Sequence, residues 1–336
     1  MKNIFLILAT IMITMASCTP ESGSRRRAAS SNVKISQKLT IPKIKPTVNV
    51  YIENSGSMDG YVKGVTEFEQ SVYNYLSDIK IASIVDSLNL NYINSEVLPY
   101  QPKDKKLSDE LDVLKDFIEK LEPSVFKQRG GMRDKSDIAD VFKDVLTNTK
   151  ENNISILVTD GVFSPGSGKA ANDYLVNQQI GIKNSFSGFL KQYKDAAVIV
   201  YQLYSKFDGD FYDKANKPIY YKGRLPFYIY IIGSSQNLKL LSKAVPDSDF
   251  KGDGIKHTFS IIANNNNVKY AINPSIGKFK KSKTDTKGTI EDLEKDSRTG
   301  KVKFAVNVDF SNLLLNDEYL LNSNNYENSS KYQLEI

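Results

Sequence analysis

Val48-Asn49-Val50-Tyr51-Ile52-Glu53-Asn54-Ser55-Gly56-Ser57-Met58 is an apolar run that breaks into an acid, an amide, two hydroxyls and a glycine. A stretch rich in Val, Ile and Tyr ahead of a Gly predicts a buried strand, and its oxygen-bearing tail falls where that strand ends. Open α/β sheets bind ligands at the carboxyl ends of their strands. The sequence on either side determines whether such a sheet surrounds it.

Downstream, strand and helix signals alternate. Thr66-Glu67-Phe68-Glu69 has capping-box spacing, and Phe68, Val72, Tyr75, Leu76 and Ile79 recur on one helical face. A strand is predicted over 90–98, then a helix capped by Ser108 with the face Leu111, Leu114, Ile118 and Leu121, stopped by Pro123. After a polar, turn-rich loop at 129–135, Ser136 stands at the mouth of a helix marked by Ile138, Val141, Phe142, Val145 and Leu146. A buried strand over 154–158 then ends in Thr159-Asp160-Gly161, so an acid again follows a strand. A helix over 171–193, strands over 196–204 and 226–232 with a Tyr-rich insertion between them, and a helix over 235–245 complete the series. This alternation predicts an α/β fold, a doubly wound and mostly parallel sheet covered on both faces, spanning 46–248.

Past Pro246 the signal changes to strands over 258–263, 268–272 and 302–310, with a final alternating segment over 332–336 and a Lys-, Asp- and Thr-rich loop over 277–300. A small antiparallel β domain is therefore expected over 249–336. With 45 basic against 39 acidic residues in 336, the two signs are mixed, which points away from a nucleic-acid partner. The single Cys excludes an intrachain disulfide and a Cys-based zinc site, and the single His, His257, leaves little scope for imidazole ligation or a His-dependent triad. Hard oxygen chemistry is what remains.

At the N-terminus Lys2 precedes an apolar segment, 4–16, too short for a typical bilayer span and suited to the core of a secretory signal. Its end, Met15-Ala16-Ser17-Cys18, resembles the lipobox of bacterial lipoproteins. That resemblance implies a leader over 1–17, a diacylglycerol anchor on Cys18, and a place in the cell envelope on a bacterial membrane, periplasmic or surface-exposed. An ordinary signal peptide with an incidental Cys is the plainer alternative. Residues 18–45, rich in Ser, Arg, Pro and Lys, are expected to form a flexible tether.

Three sets of oxygen-bearing side chains stand where this topology can bring them together. They are Glu53, Ser55 and Ser57 after the first strand, Ser136 before a helix, and Asp160 after a later strand. Together they resemble the von Willebrand factor type A family, whose first motif is Asp-x-Ser-Gly-Ser-Met, its second a Thr entering a helix and its third Thr-Asp-Gly. Here these stand as Glu53-Asn54-Ser55-Gly56-Ser57-Met58, Ser136-Asp137-Ile138 and Thr159-Asp160-Gly161.

The resemblance implies a metal-ion-dependent adhesion site. Ser55, Ser57 and Ser136 would ligate a divalent cation, Mg²⁺ foremost with Mn²⁺ or Ca²⁺ as alternatives. Glu53 and Asp160 would balance charge and orient waters, and an Asp or Glu of a protein partner would complete coordination. It thus implies a membrane-anchored binding protein and no enzyme. An ion-free scaffold and, behind it, a Mg²⁺-dependent hydrolase are the alternatives. Two positions depart from the pattern: Glu53 carries one more methylene than Asp, and Ser136 lacks the methyl that restricts a Thr rotamer.

Each motif also has a plain structural reading. Ser55-Gly56 can be a turn, Ser136 a helix cap, Thr159-Asp160-Gly161 a turn, and Asp59 and Asp137 solvated loop acids. Ser164-Pro165-Gly166-Ser167-Gly168-Lys169 is no Walker loop, since Ser167 stands where that motif needs Lys. It is expected to rim the site. The insertion holding Asp208-Gly209-Asp210, Phe211-Tyr212 and Tyr220-Tyr221 is expected either to pack on the domain's flank or to present aromatics to a partner.

Overall fold

The computed structural model of the chain describes residues 8–12, 44–102, 109–133, 135–162, 164–165, 171–213, 217–263, 268–281 and 289–310, together with 313–314, 319–320, 322, 324 and 333–335. Cys18, most of the expected leader and tether, Ser108 and the side chain of Ser136 lie outside these residues. The chain divides into two compact units, one of residues 40–265 and one combining 1–39 with 266–336. No helix among the described residues is long and apolar enough to cross a membrane.

The larger unit is an α/β structure built on a seven-stranded mixed sheet. Its strands are β1 (Thr47–Glu53), β2 (Leu88–Ile93), β3 (Val97–Pro99), β4 (Asn153–Thr159), β5 (Ala196–Tyr212), β6 (Pro218–Ser234) and β7 (His257–Ile262), in the spatial order β7-β5-β6-β4-β1-β2-β3. β1 lies at the centre of a parallel trio, flanked by β4 and β2. The remaining neighbours pair antiparallel. β1, β2, β4 and β5 therefore run in one direction, but direct parallel pairing is confined to β4, β1 and β2.

Helices cover both faces. Val48, Val50 and Ile52 point to one side and Tyr51 to the other, and all four are buried, which explains why β1 is nearly unbroken in its apolar character. On the Tyr51 side, α4 (Ile138–Asn148) and α5 (Ala171–Gln192) share a core in which Val141, Phe142, Val145 and Phe189 meet Leu157, Val198 and Ile232. On the other side α1 (Glu67–Ile81) inserts Phe68 against Phe227, with ring centroids 5.0 Å apart. Full burial of a side chain of this size contributes about 1.5–3 kcal/mol.

The capping box at Thr66 forms. The Thr66 side chain accepts from the Glu69 N–H at 3.4 Å, and the Glu69 carboxylate accepts from the Thr66 N–H in return. The helix expected from a Ser108 cap is α2 (Glu110–Glu119), whose cap is Asp109, accepting from the Leu111 and Asp112 N–H groups. Pro123 does more than stop it, since it occupies the first turn of a short helix, α3 (Pro123–Gln128), where its missing N–H costs nothing.

Two strand expectations change. The Tyr-rich insertion between the strands over 196–204 and 226–232 is the continuation of both, so β5 and β6 form one long hairpin paired from Ala196–Ser234 to Tyr212–Pro218. A hairpin needs no crossover and returns its second strand antiparallel, which is how β6 comes to lie beside β4. The strand expected to open the C-terminal β region is β7, and it pairs with β5 at the edge of the large sheet.

The smaller unit holds a separate antiparallel sheet. Lys269–Gly277 pairs with Phe304–Asp309, which pairs with Leu8–Met12, which in turn pairs with Gln333–Glu335. The stretch 277–300, expected as a loop, includes a two-residue ladder between Lys280–Lys281 and Ile290–Glu291.

Candidate functional site

The first and third motifs meet at the carboxyl ends of β1 and β4, two adjacent parallel strands. Glu53, Ser55, Ser57 and Asp160 are all buried. A 3₁₀ turn over Gly56–Tyr61 carries the first motif away from the sheet, and the Ser55 and Ser57 Oγ atoms lie 3.0 Å apart. Ser57 and Asp160 line one pocket, and the Ser57 hydroxyl favours the charged form of the acid. Either hydroxyl can be the donor in the Ser55–Ser57 bond.

Asp160 turns back on itself. Its Oδ1 accepts the Val162 N–H at 2.9 Å, across Gly161 at φ +69°, a left-handed backbone that glycine adopts without strain. Glu53 is held by the Thr159 hydroxyl, which also accepts the Gly161 N–H at 2.8 Å. The Asp160 carboxyl is pushed up to about 7, first by burial and then by the charge of Glu53, against the lowering effect of the Val162 N–H and the Ser57 hydroxyl. The same surroundings, burial above all and then the charge of Asp160, raise the Tyr61 phenol, which donates to the Pro226 carbonyl at 2.6 Å.

Ser136 comes close through its backbone. The loop before it touches the first motif, where the Gly56 N–H donates to the Arg133 carbonyl at 3.0 Å. Lys135–Ser136 then pairs antiparallel with Ser164–Pro165, in the segment that follows the Asp160 turn. The cap of α4 is Asp137, which accepts from the Ala139 and Asp140 N–H groups at 3.1 and 3.2 Å and from the Gln178 amide at 3.0 Å. Asp137 is thus a working cap, where the sequence suggested a solvated acid and a Ser136 cap.

Three contributions were not visible in the sequence. Arg133 donates from Nε to the Asn54 carbonyl at 2.7 Å and from Nη2 to the Ser55 carbonyl at 3.2 Å, and it pairs with Asp59. Asp59 is therefore engaged, and its carboxyl is raised by burial in spite of that partner. Asn94, at the end of β2, donates to the Asn54 side chain and to the Gly130 carbonyl, both at 3.0 Å, tying the 129–133 loop to the same turn. The β5–β6 arm is the third. Gly209 crosses the 3₁₀ turn so closely that a Cβ there would lie 2.8 Å from the Gly60 Cα. The only advance sign of it was a glycine between two acids, at Asp208-Gly209-Asp210.

The arm walls a pocket of about 70 Å³, in which Ser57 and Asp160 face Phe207, Asp210, Phe211 and Tyr212. That is room for a small ion or a few waters next to the acid. Among the described residues no group of three or more His, Cys, Asp or Glu side chains could hold a metal. The pocket itself offers the oxygens of Ser57, Asp160 and Asp210, and Ser55 and Glu53 stand behind Ser57 and Asp160, a hard oxygen set suited to Mg²⁺, Mn²⁺ or Ca²⁺. Asp160 and Glu53 are both buried and the charge of Glu53 raises the Asp160 carboxyl, a repulsion that a cation would relieve, so the residues fit such an ion. The chain matches no protein-family model and no curated protein sequence.

Proposed function

We propose that the protein is a lipid-anchored binding protein of a bacterial cell envelope, whose larger unit is a von Willebrand type A-like domain that captures a protein partner through a divalent cation. The observation that carries this reading is the meeting of Ser57 of the first motif and Asp160 of the third in the lining of one small pocket, with the charge of Glu53 acting on Asp160. A bound Mg²⁺, or Mn²⁺ or Ca²⁺ in its place, would supply an electrophilic position for a carboxylate of the partner. Ser55, Ser57 and Ser136 would hold the ion, while Asp160 and Glu53 offset its charge and orient water. No catalytic step is assigned to the site.

Calorimetric titration of Mg²⁺, Mn²⁺ and Ca²⁺ into the full chain tests the ion, and absence of both heat and thermal shift at millimolar ion sinks that part. Crosslinking and pull-down from the native cells, with and without chelator, tests the partner. Alanine at Ser55 and Ser57 is expected to abolish capture.

Two further readings each have an observation of their own. Glu53 already has the Thr159 hydroxyl as a partner, which suits an ion-free scaffold whose partner capture survives chelation. Leu8–Met12 pairs with Phe304–Asp309 in the smaller unit, a strand that a cleaved leader could not supply. Intact mass of the membrane-extracted protein separates the cases: a diacylglyceryl Cys18 at the N-terminus supports lipidation, and a retained Met1 overturns it.

A further inference from the structure

We propose that Arg133 is a positioning residue that clips the 54–59 turn, so that the paired Ser55 and Ser57 hydroxyls are held in place with Ser57 beside Asp160. Its importance for binding rests on the divalent-ion reading above, while its geometry does not.

Arg133 grips the turn from both ends of the residue. Its side chain, 14% exposed, donates to the Asn54 and Ser55 carbonyls and pairs with Asp59. Its own carbonyl accepts the Gly56 N–H at 3.0 Å. Three consecutive residues of one short turn, Asn54, Ser55 and Gly56, and the Asp59 side chain beyond them are thus tied to a single residue from a distant loop. The guanidinium is a rigid planar fork that can serve two carbonyls and a carboxylate at once, whereas an ammonium is a point charge on a flexible stem.

The clip reaches the other motifs too. The Ser55 carbonyl that Arg133 holds also accepts the Met58 N–H at 3.2 Å, which closes the turn carrying Ser57. Beyond Arg133 the chain reaches Ser136, whose backbone pairs with Ser164 after the Asp160 turn. Arg133 therefore sits where one strut can align all three motifs.

Electrostatics alone predicts the opposite effect on an ion. A guanidinium beside a cation site repels the cation, so its removal should tighten binding if charge were its only influence. If Arg133 positions the hydroxyls, its removal weakens binding. The sign of the change separates the two.

The test uses the full chain in detergent, with Arg133→Ala, Arg133→Lys and, as control, Arg224→Ala, an exposed residue paired with Glu67 and Asp253. In chelator, hydrogen exchange at the Gly56 and Met58 amides should quicken at least tenfold in R133A while the amides of β1 stay protected. Mn²⁺ affinity, read from the free-ion resonance, should weaken at least tenfold in R133A, and R133K, which keeps charge without the fork, should stay within threefold of R133A. R224A should match the wild type. Unchanged exchange, or unchanged or tighter Mn²⁺ binding in R133A, overturns the proposal. Should R133A not fold, R133K decides by the same criteria. If the wild type binds no Mn²⁺ while exchange responds, the ion reading fails and the clip stands; if Mn²⁺ binds and R133A binds it equally well, the reverse holds.

Discussion

The Thr159 hydroxyl donates to the Glu53 carboxylate, joining the ends of two adjacent parallel strands where both side chains are fully buried. Glu53 ends β1 and Thr159 ends β4. The Glu53 carboxylate thus has a specific partner in the hydroxyl that precedes Asp160.

Thr159→Val keeps the shape and removes the donor. Glu53 then loses a charge-assisted bond inside the core, and the Gly161 N–H loses its acceptor. Urea unfolding should show a loss of about 2–3 kcal/mol with an unchanged slope. Thr159→Ser should recover most of it, and an unaltered midpoint in T159V would show that the bond carries little weight.

Asp160→Asn should trade function for stability. The amide oxygen can still accept the Val162 N–H, and no charge then faces Glu53. At pH 8 in chelator the variant is expected to be more stable by about 1–3 kcal/mol, while calorimetry should find no Mn²⁺ binding. Retained Mn²⁺ affinity would remove Asp160 from the site.

Stability without metal should fall as pH rises from about 4 to about 7. Asp160 and Glu69 both titrate near 7 in the folded chain, Asp160 through burial and then Glu53, Glu69 through burial with a further push from Glu122. The unfolded chain gives up those protons at ordinary carboxylate values, near 4. Between the two, the folded state binds more protons, so raising pH favours unfolding. Urea midpoints at pH 5, 6, 7 and 8 check this, and the double variant Asp160→Asn, Glu69→Gln should flatten the slope.

Gly209→Ala should lift the hairpin arm off the turn. The new methyl would meet the Gly60 backbone, at 2.8 Å from Cα and 3.1 Å from N, where no side chain can swing aside. A cost of about 1–3 kcal/mol is expected, with faster hydrogen exchange over the 3₁₀ turn. Unchanged exchange there would mean that the arm does not brace the site.

Much of the larger unit was legible because its signals are local. The 3.6-residue spacing of Ile138, Val141, Phe142, Val145 and Leu146 marks α4, and all five are buried. The nearly unbroken apolar character of β1 and β4 marks strands covered on both faces, and the Thr66 box marks the start of α1. The β5–β6 hairpin was harder. Its aromatic middle resembled an insertion, since a strand leaving the sheet as an arm loses the burial pattern that makes strands recognisable.

The sequence by itself determined the alternation of strand and helix, the oxygen-rich breaks after β1 and β4, and the hard-ligand chemistry left by one Cys and one His. Only the tertiary structure decided that Ser57 meets Asp160, that Glu53 is held by Thr159, and that Arg133 and the hairpin arm brace the turn between them. Periodicity and capping depend on residues a few positions apart and leave a mark in the sequence. A hydrogen bond or a close backbone approach between distant segments depends on the packing of the whole sheet and leaves none.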